Sequence, residues 1–102
     1  MNIVKTEQPQ GTVCRLEGRF DAHVVPQVRA ALEPVRQPLF LDLSGVGFID
    51  SSGLAALVGL FKKAREAGVL FEISGIQDPV RLILELTGLD AILPIRVPGR
   101  PQ

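Results

Sequence analysis

Apolar and polar residues alternate from Thr12 to Glu17, where Val13 and Cys14 precede Arg15-Leu16-Glu17, as on a strand with one covered and one wet face. A second short run of strand type, Asn2 to Glu7, is joined to it by the turn-rich link Gln8-Pro9-Gln10-Gly11, so the chain should open with a β-hairpin that Gly18 ends. Beyond Gly18 the apolar spacing changes to three and four residues. Val25, Val28, Leu32 and Val35 predict a buried helical stripe entered at Asp21. Pro26 belongs in its opening turn, where a missing N–H costs nothing, and Pro34 and Pro38 close the segment. Leu39 to Leu43 reads as a central strand. Leu54, Leu57, Val58 and Phe61 then predict a second helix from about Ser52 to Ala67, with Gly68 as its C-cap and Lys62, Lys63, Arg65 and Glu66 at its wet end. Val69–Ile73 is the next strand. Asp78 as N-cap, followed by Pro79, opens a third helix carrying Val80, Ile83, Leu84 and Thr87 on one side and ending at Gly88. Ile92–Val97 is expected to form a last short strand, and residues 98–102 a frayed tail.

The resulting order, ββαβαβαβ, implies an α/β fold: a mixed sheet with an N-terminal hairpin and parallel crossovers, its three helices packed mainly on one face. Residues 1–97 are expected to form one small domain, long enough for one modest core. Phe48 and Ile49 are assigned to that core, whereas Val24 and Val25 beside His23 are expected to leave apolar surface near the turn that follows the central strand.

Composition narrows the function more than it names it. Eleven basic and eleven acidic side chains cancel, which gives no electrostatic reason for a nucleic-acid or anionic-membrane partner. No apolar run approaches the ~20 residues of a membrane span, and the first residues lack signal-peptide organisation, so direct membrane insertion is not expected. A lone Cys14 excludes an internal disulfide and fits a reducing cytoplasm; with the single His23 it leaves no recognisable zinc cluster.

The chemistry-bearing stretch is Phe40-Leu41-Asp42-Leu43-Ser44-Gly45-Val46-Gly47-Phe48-Ile49-Asp50-Ser51-Ser52-Gly53-Leu54. A strand runs into a tight turn at Gly45 and Gly47, and the turn presents an acid and two hydroxyls where a helix begins. Asp50, Ser51 and Ser52 are all good N-cap types, because their oxygens can accept the unpaired amides of the first helical turn. Serines placed there also meet the positive end of the helix dipole, which suits a phosphate as well as a cap. A nucleophile elbow would need Gly-x-Ser-x-Gly spacing and a partner imidazole. The spacing is absent and only His23 could serve, so no catalytic residue is assigned. The glycines likewise lack the spacing and lysine of a phosphate-binding loop.

This stretch resembles the signature of the STAS family, the domain of bacterial anti-sigma factor antagonists that also occurs in sulfate transporters. In that family an Asp-Ser-Ser-Gly-Leu run opens the second helix, matched here by Asp50-Ser51-Ser52-Gly53-Leu54. Gly18-Arg19-Phe20-Asp21 falls where the family has a Gly-x-Leu-Asp turn, and Leu84-Glu85-Leu86-Thr87-Gly88-Leu89 resembles its third helix and exit. The resemblance covers roughly residues 11–97 and implies an anti-sigma factor antagonist. Such a protein is a non-enzymatic, cytoplasmic binding partner of an anti-sigma factor that is itself a serine kinase, with a PP2C-type serine phosphatase resetting the switch. It makes Ser51 the phosphoacceptor and Asp21, Asp50, Ser52 and Gly53 its recognition surroundings. It calls for no cofactor or metal on this chain, since ATP and magnesium belong to the kinase. Two alternatives share the fold: a STAS subunit of a lipid-handling ABC transporter binding its ATPase, and a stress-signalling scaffold. Ala55, where many antagonists have glycine, and a sequence that stops before the family's further C-terminal helix, resemble the transporter subunits. The intact serine and the Leu84–Asp90 run favour the antagonist.

Overall fold

Alternation in the first twenty residues produces the hairpin directly. In the computed structural model, which describes residues 1–96, β1 (Asn2–Gln8) and β2 (Gly11–Phe20) pair antiparallel around Pro9 and Gln10. β3 (Leu39–Ile49) lies parallel to β2, and β4 (Phe71–Ser74) parallel to β3, giving one mixed sheet in the order β1-β2-β3-β4. The connections are α1 (Val25–Leu32) and α2 (Ser51–Ala67); α3 (Asp78–Thr87) and a short 3-10 turn (Leu89–Ala91) follow β4. Cys14, Leu16, Leu41, Leu43 and Ile73 on the sheet are fully buried with Val28, Leu57, Leu60 and Leu84 of the helices. Each large side chain so covered is worth ~1.5–3 kcal/mol over exposure. The intervening Arg15 is exposed, and Phe40, Asp42 and Glu72 are half-buried, so the opposite sheet face stays largely wet.

β3 is longer than expected because it does not turn at Gly45 or Gly47. Its register against β2 slips between Arg15 and Glu17 and again between Glu17 and Arg19. Each slip is a bulge, adding a residue to one strand without ending the ladder. The buried residues therefore fall three apart, at Leu43, Val46 and Ile49, instead of two apart. Gly45 belongs to this irregular stretch, where a Cβ would lie only 2.7 Å from Glu17 Cγ and 2.9 Å from the Leu16 carbonyl oxygen. The same extension explains why Gly18 does not end β2: Arg19 and Phe20 still pair with Phe48 and Ile49.

Other expectations shift by a residue or a role. Asp21 is not the N-cap of α1. It heads the turn before it, its carbonyl accepting the Val24 and Val25 amides at 3.1 and 3.2 Å, and the helix begins after Val24 with Pro26 in the first turn. Val35 is buried but lies beyond α1. Gln77, not Asp78, is the N-cap of α3, and the fourth strand starts at Phe71, not Val69. Among the described residues the expected strand from Ile92 is reduced to a single bridge, Ile95 against Ile73. Val97 and the expected tail, residues 98–102, lie outside the described residues.

Candidate functional site

β3 delivers its last residue, Ile49, into the core with 2% of its surface exposed, and the chain then reverses into α2 at Asp50. Four hydrogen bonds fix that residue. Its amide donates to the Phe20 carbonyl at 3.2 Å and its own carbonyl accepts the Leu54 amide at 3.0 Å. Its Oδ1 accepts the Gly53 amide at 3.0 Å, and its Oδ2 the Ala22 amide at 3.2 Å. Asp50 is thus both the N-cap of α2 and the link between the turns after β2 and β3. The Gly53 amide holds its carboxyl below the ordinary value of 3.8, desolvation works against this, and the Ala22 amide adds to the lowering.

Ser51 is the first residue of α2 and is exposed; Ser52 is half-buried and Gly53 buried. Gly53 faces the end of β2 so closely that an added Cβ would sit 2.5 Å from the Phe20 carbonyl oxygen and 2.7 Å from Ile49 Cγ1. α2 therefore meets the sheet backbone-on, leaving the Ser51 side chain outward at the positive end of a seventeen-residue helix.

Asp21 stands at the adjoining turn, with Oδ1 accepting the His23 amide at 3.1 Å and Oδ2 3.6 Å from Arg19 Nε. The structure thus gathers Asp21, Asp50, Ser51, Ser52 and Gly53 at the carboxyl ends of two neighbouring parallel strands, where open α/β sheets present their sites. Two surroundings differ from expectation. Val24 is buried and Val25 half-buried, so they do not form the expected apolar rim; Phe48, assigned to the core, is 37% exposed and supplies it. Arg19 lies over the Phe48 ring, 3.8 Å from its centroid. The paired register that joins these two residues depends on the β3 bulges, and no local sequence pattern announces it.

Residues 2–97 match the STAS domain family. The chain belongs to that family. Among STAS relatives, the anti-sigma-B factor antagonist of Staphylococcus aureus is 29% identical over 97 residues, which span 91% of this chain and 90% of that protein. The anti-sigma-B factor antagonist of Listeria monocytogenes is 36% identical over 83 residues, 78% of this chain and 73% of that protein. The solved structure of an anti-sigma factor antagonist from Mycobacterium paratuberculosis aligns with a TM-score of 0.80 at 26% identity, covering 92% of this chain and 83% of that one. Among the described residues of this STAS domain, no three His, Cys, Asp or Glu side chains gather to hold a metal ion, and no helix is long and apolar enough to cross a membrane.

Proposed function

We propose that this STAS domain is an anti-sigma factor antagonist whose binding is switched off by phosphorylation of Ser51. It acts by binding alone. Unphosphorylated, it occupies an anti-sigma factor in the cytoplasm and so frees a sigma factor; that anti-sigma factor is also the serine kinase, and a PP2C-type phosphatase restores the hydroxyl. The observation that carries the reading is an exposed Ser51 at the start of α2, flanked by a capping aspartate, in a chain whose relatives are antagonists. The same relatives disfavour the transporter-subunit reading.

The geometry suggests how the switch works. A phosphate adds about −1.5 to −2 charge at pH 7. At an exposed helix start it gains ~0.3–1 kcal/mol from the dipole, and the neighbouring Asp50 carboxylate opposes it. Both terms are small beside the ~5–15 kcal/mol that holds a typical domain together, so the fold survives. A partner surface packed over the serine hydroxyl instead meets a charge it must desolvate, which breaks the contact.

Purified anti-sigma factor kinases from the source genome, with ATP, test this directly. The wild-type domain should take up one phosphate on Ser51, keep its circular dichroism and melting temperature, and lose at least about tenfold in affinity, which corresponds to ~1.4 kcal/mol. Ser51→Ala should bind and resist release by ATP, and Ser51→Asp should bind more weakly. Phosphate confined to another residue, or undiminished binding by fully phosphorylated protein, overturns the reading.

A further inference from the structure

At the rim of the Ser51 turn, Arg19 and Phe48 form a composite surface that neither the cap nor the serine explains. They are cross-strand partners at the ends of β2 and β3, and their neighbours Phe20 and Ile49 point into the core, so both project from the opposite, open face of the sheet. The guanidinium carbon lies over the ring, 3.8 Å from its centroid, while Nε stands 3.6 Å from Asp21 Oδ2. Despite both contacts the Arg19 side chain is 67% exposed. Arginine is costly to order, but here the ring and the carboxylate already hold it, so docking against it loses little further freedom. An exposed phenylalanine at the edge of a binding turn, topped by a pre-positioned arginine, has the composition of an interface anchor.

We infer that Arg19 and Phe48 form a specificity platform that selects which anti-sigma factor docks beside Ser51, by receiving a carboxylate on the guanidinium fork and an apolar side chain against the exposed ring edge. The inference rests on the antagonist reading and adds a division of labour to it. Ser51 decides whether the complex forms, and the platform decides with whom. The guanidinium alone calls for a carboxylate-bearing occupant: Asp21 approaches Arg19 at Nε, and with 67% of the side chain exposed its planar fork is open to a partner's acid, which must meet it on the side away from Asp21 and Asp50. The platform also stands apart from the cap: Asp50 bonds the Ala22 and Gly53 amides, not Arg19. Altering the Arg19 or Phe48 side chain therefore removes none of the hydrogen bonds that hold Asp50.

Titration calorimetry against each purified anti-sigma factor kinase of the source genome, loaded with ADP, separates the possibilities. For the kinase that binds wild-type and Ser51→Ala protein, Arg19→Glu should lose at least tenfold in affinity and Phe48→Ala at least fivefold, with melting temperatures kept within a few degrees. Arg19→Lys, which keeps the charge without the planar fork, should fall between. In the phosphorylation reaction the same variants should raise KM for the domain while kcat changes little, because the lost binding is common to ground and transition states. A carboxylate-to-arginine change on the kinase should restore binding to Arg19→Glu. If Ser51→Ala binds a kinase tightly and both Arg19→Glu and Phe48→Ala bind it equally well, the platform is refuted while the antagonist reading stands. If neither wild-type nor Ser51→Ala protein binds any of these kinases, the antagonist reading itself fails and the platform with it.

Discussion

Replacing Gly53 by alanine sets two forces against each other at the start of α2. Alanine is the better helix former by ~0.5–1 kcal/mol, and Gly53 does not use the left-handed backbone that would justify a glycine. On propensity alone Gly53→Ala stabilises. The packing opposes this, because the new methyl would approach the Phe20 carbonyl oxygen at 2.5 Å and Ile49 Cγ1 at 2.7 Å. That carbonyl cannot rotate aside freely, since it accepts the Asp50 amide, and Ile49 is fixed in the core. Overpacking of this kind costs ~1–3 kcal/mol. In a first helical turn the propensity gain sits at the low end, so we expect net destabilisation of about 1–2 kcal/mol, lowering the melting temperature by roughly 5–15 °C. At Gly59, in the same helix, an added methyl would meet nothing within 4 Å, so Gly59→Ala should instead gain ~0.5–1 kcal/mol. Thermal melts and urea titrations with unchanged m-values would measure both. A Gly53→Ala protein that melts at or above wild type would refute the backbone-on contact between α2 and β2.

Asp50 titrates below its ordinary 3.8 when folded, so its contribution is present above that value and lost as pH falls through the folded pKa. Asp50→Asn keeps an N-cap side chain, and its urea midpoint should fall less steeply in acid than wild type; identical acid limbs would contradict the hydrogen-bond assignment. Burial pushes the Cys14 thiol up to about 11 from 9.0, with Lys5 pulling slightly the other way. Native protein should therefore resist thiol reagents at pH 8 and react once denatured. Its stabilising effect is intact below pH 9 and lost as pH rises towards 11, a loss that Cys14→Ala should lack.

What the sequence carried legibly was whatever rests on local period and punctuation. Alternation placed the hairpin, and steps of three and four with proline and glycine stops placed all three helices. Asp50-Ser51-Ser52-Gly53 marked the start of α2 because capping chemistry is local, and the family resemblance, not the cap, made it the candidate site. What it concealed was decided across strands. Two bulges re-phase β3, so Gly45 and Gly47 read as a turn while the ladder in fact continues, and Phe48 reads as core while the second slip turns it outward. Asp21 is a capping residue in type, but the turn from Asp21 to Val24 inserts itself before α1 and takes that role. Arg19 gave no signal alone; its position over Phe48 exists only in the register of β2 against β3.

The bonding at the turn bears on why a single phosphate would suffice as a signal. A phosphate on a loosely held loop is free to collapse onto the nearest cation and remodel the loop. Here the backbone around Ser51 is already committed: Asp50 is bonded to Phe20, Ala22, Gly53 and Leu54, and Gly53 leaves no space beneath it. Arg19, the cation of the neighbouring turn, is held by Phe48 and by Asp21. Moving it to the phosphate would forfeit both contacts, and Asp50 further repels the added charge. A phosphate on Ser51 would thereby be kept at the surface and presented outward, so the energy of the proposed modification would fall on a docked partner and not on the domain that carries it.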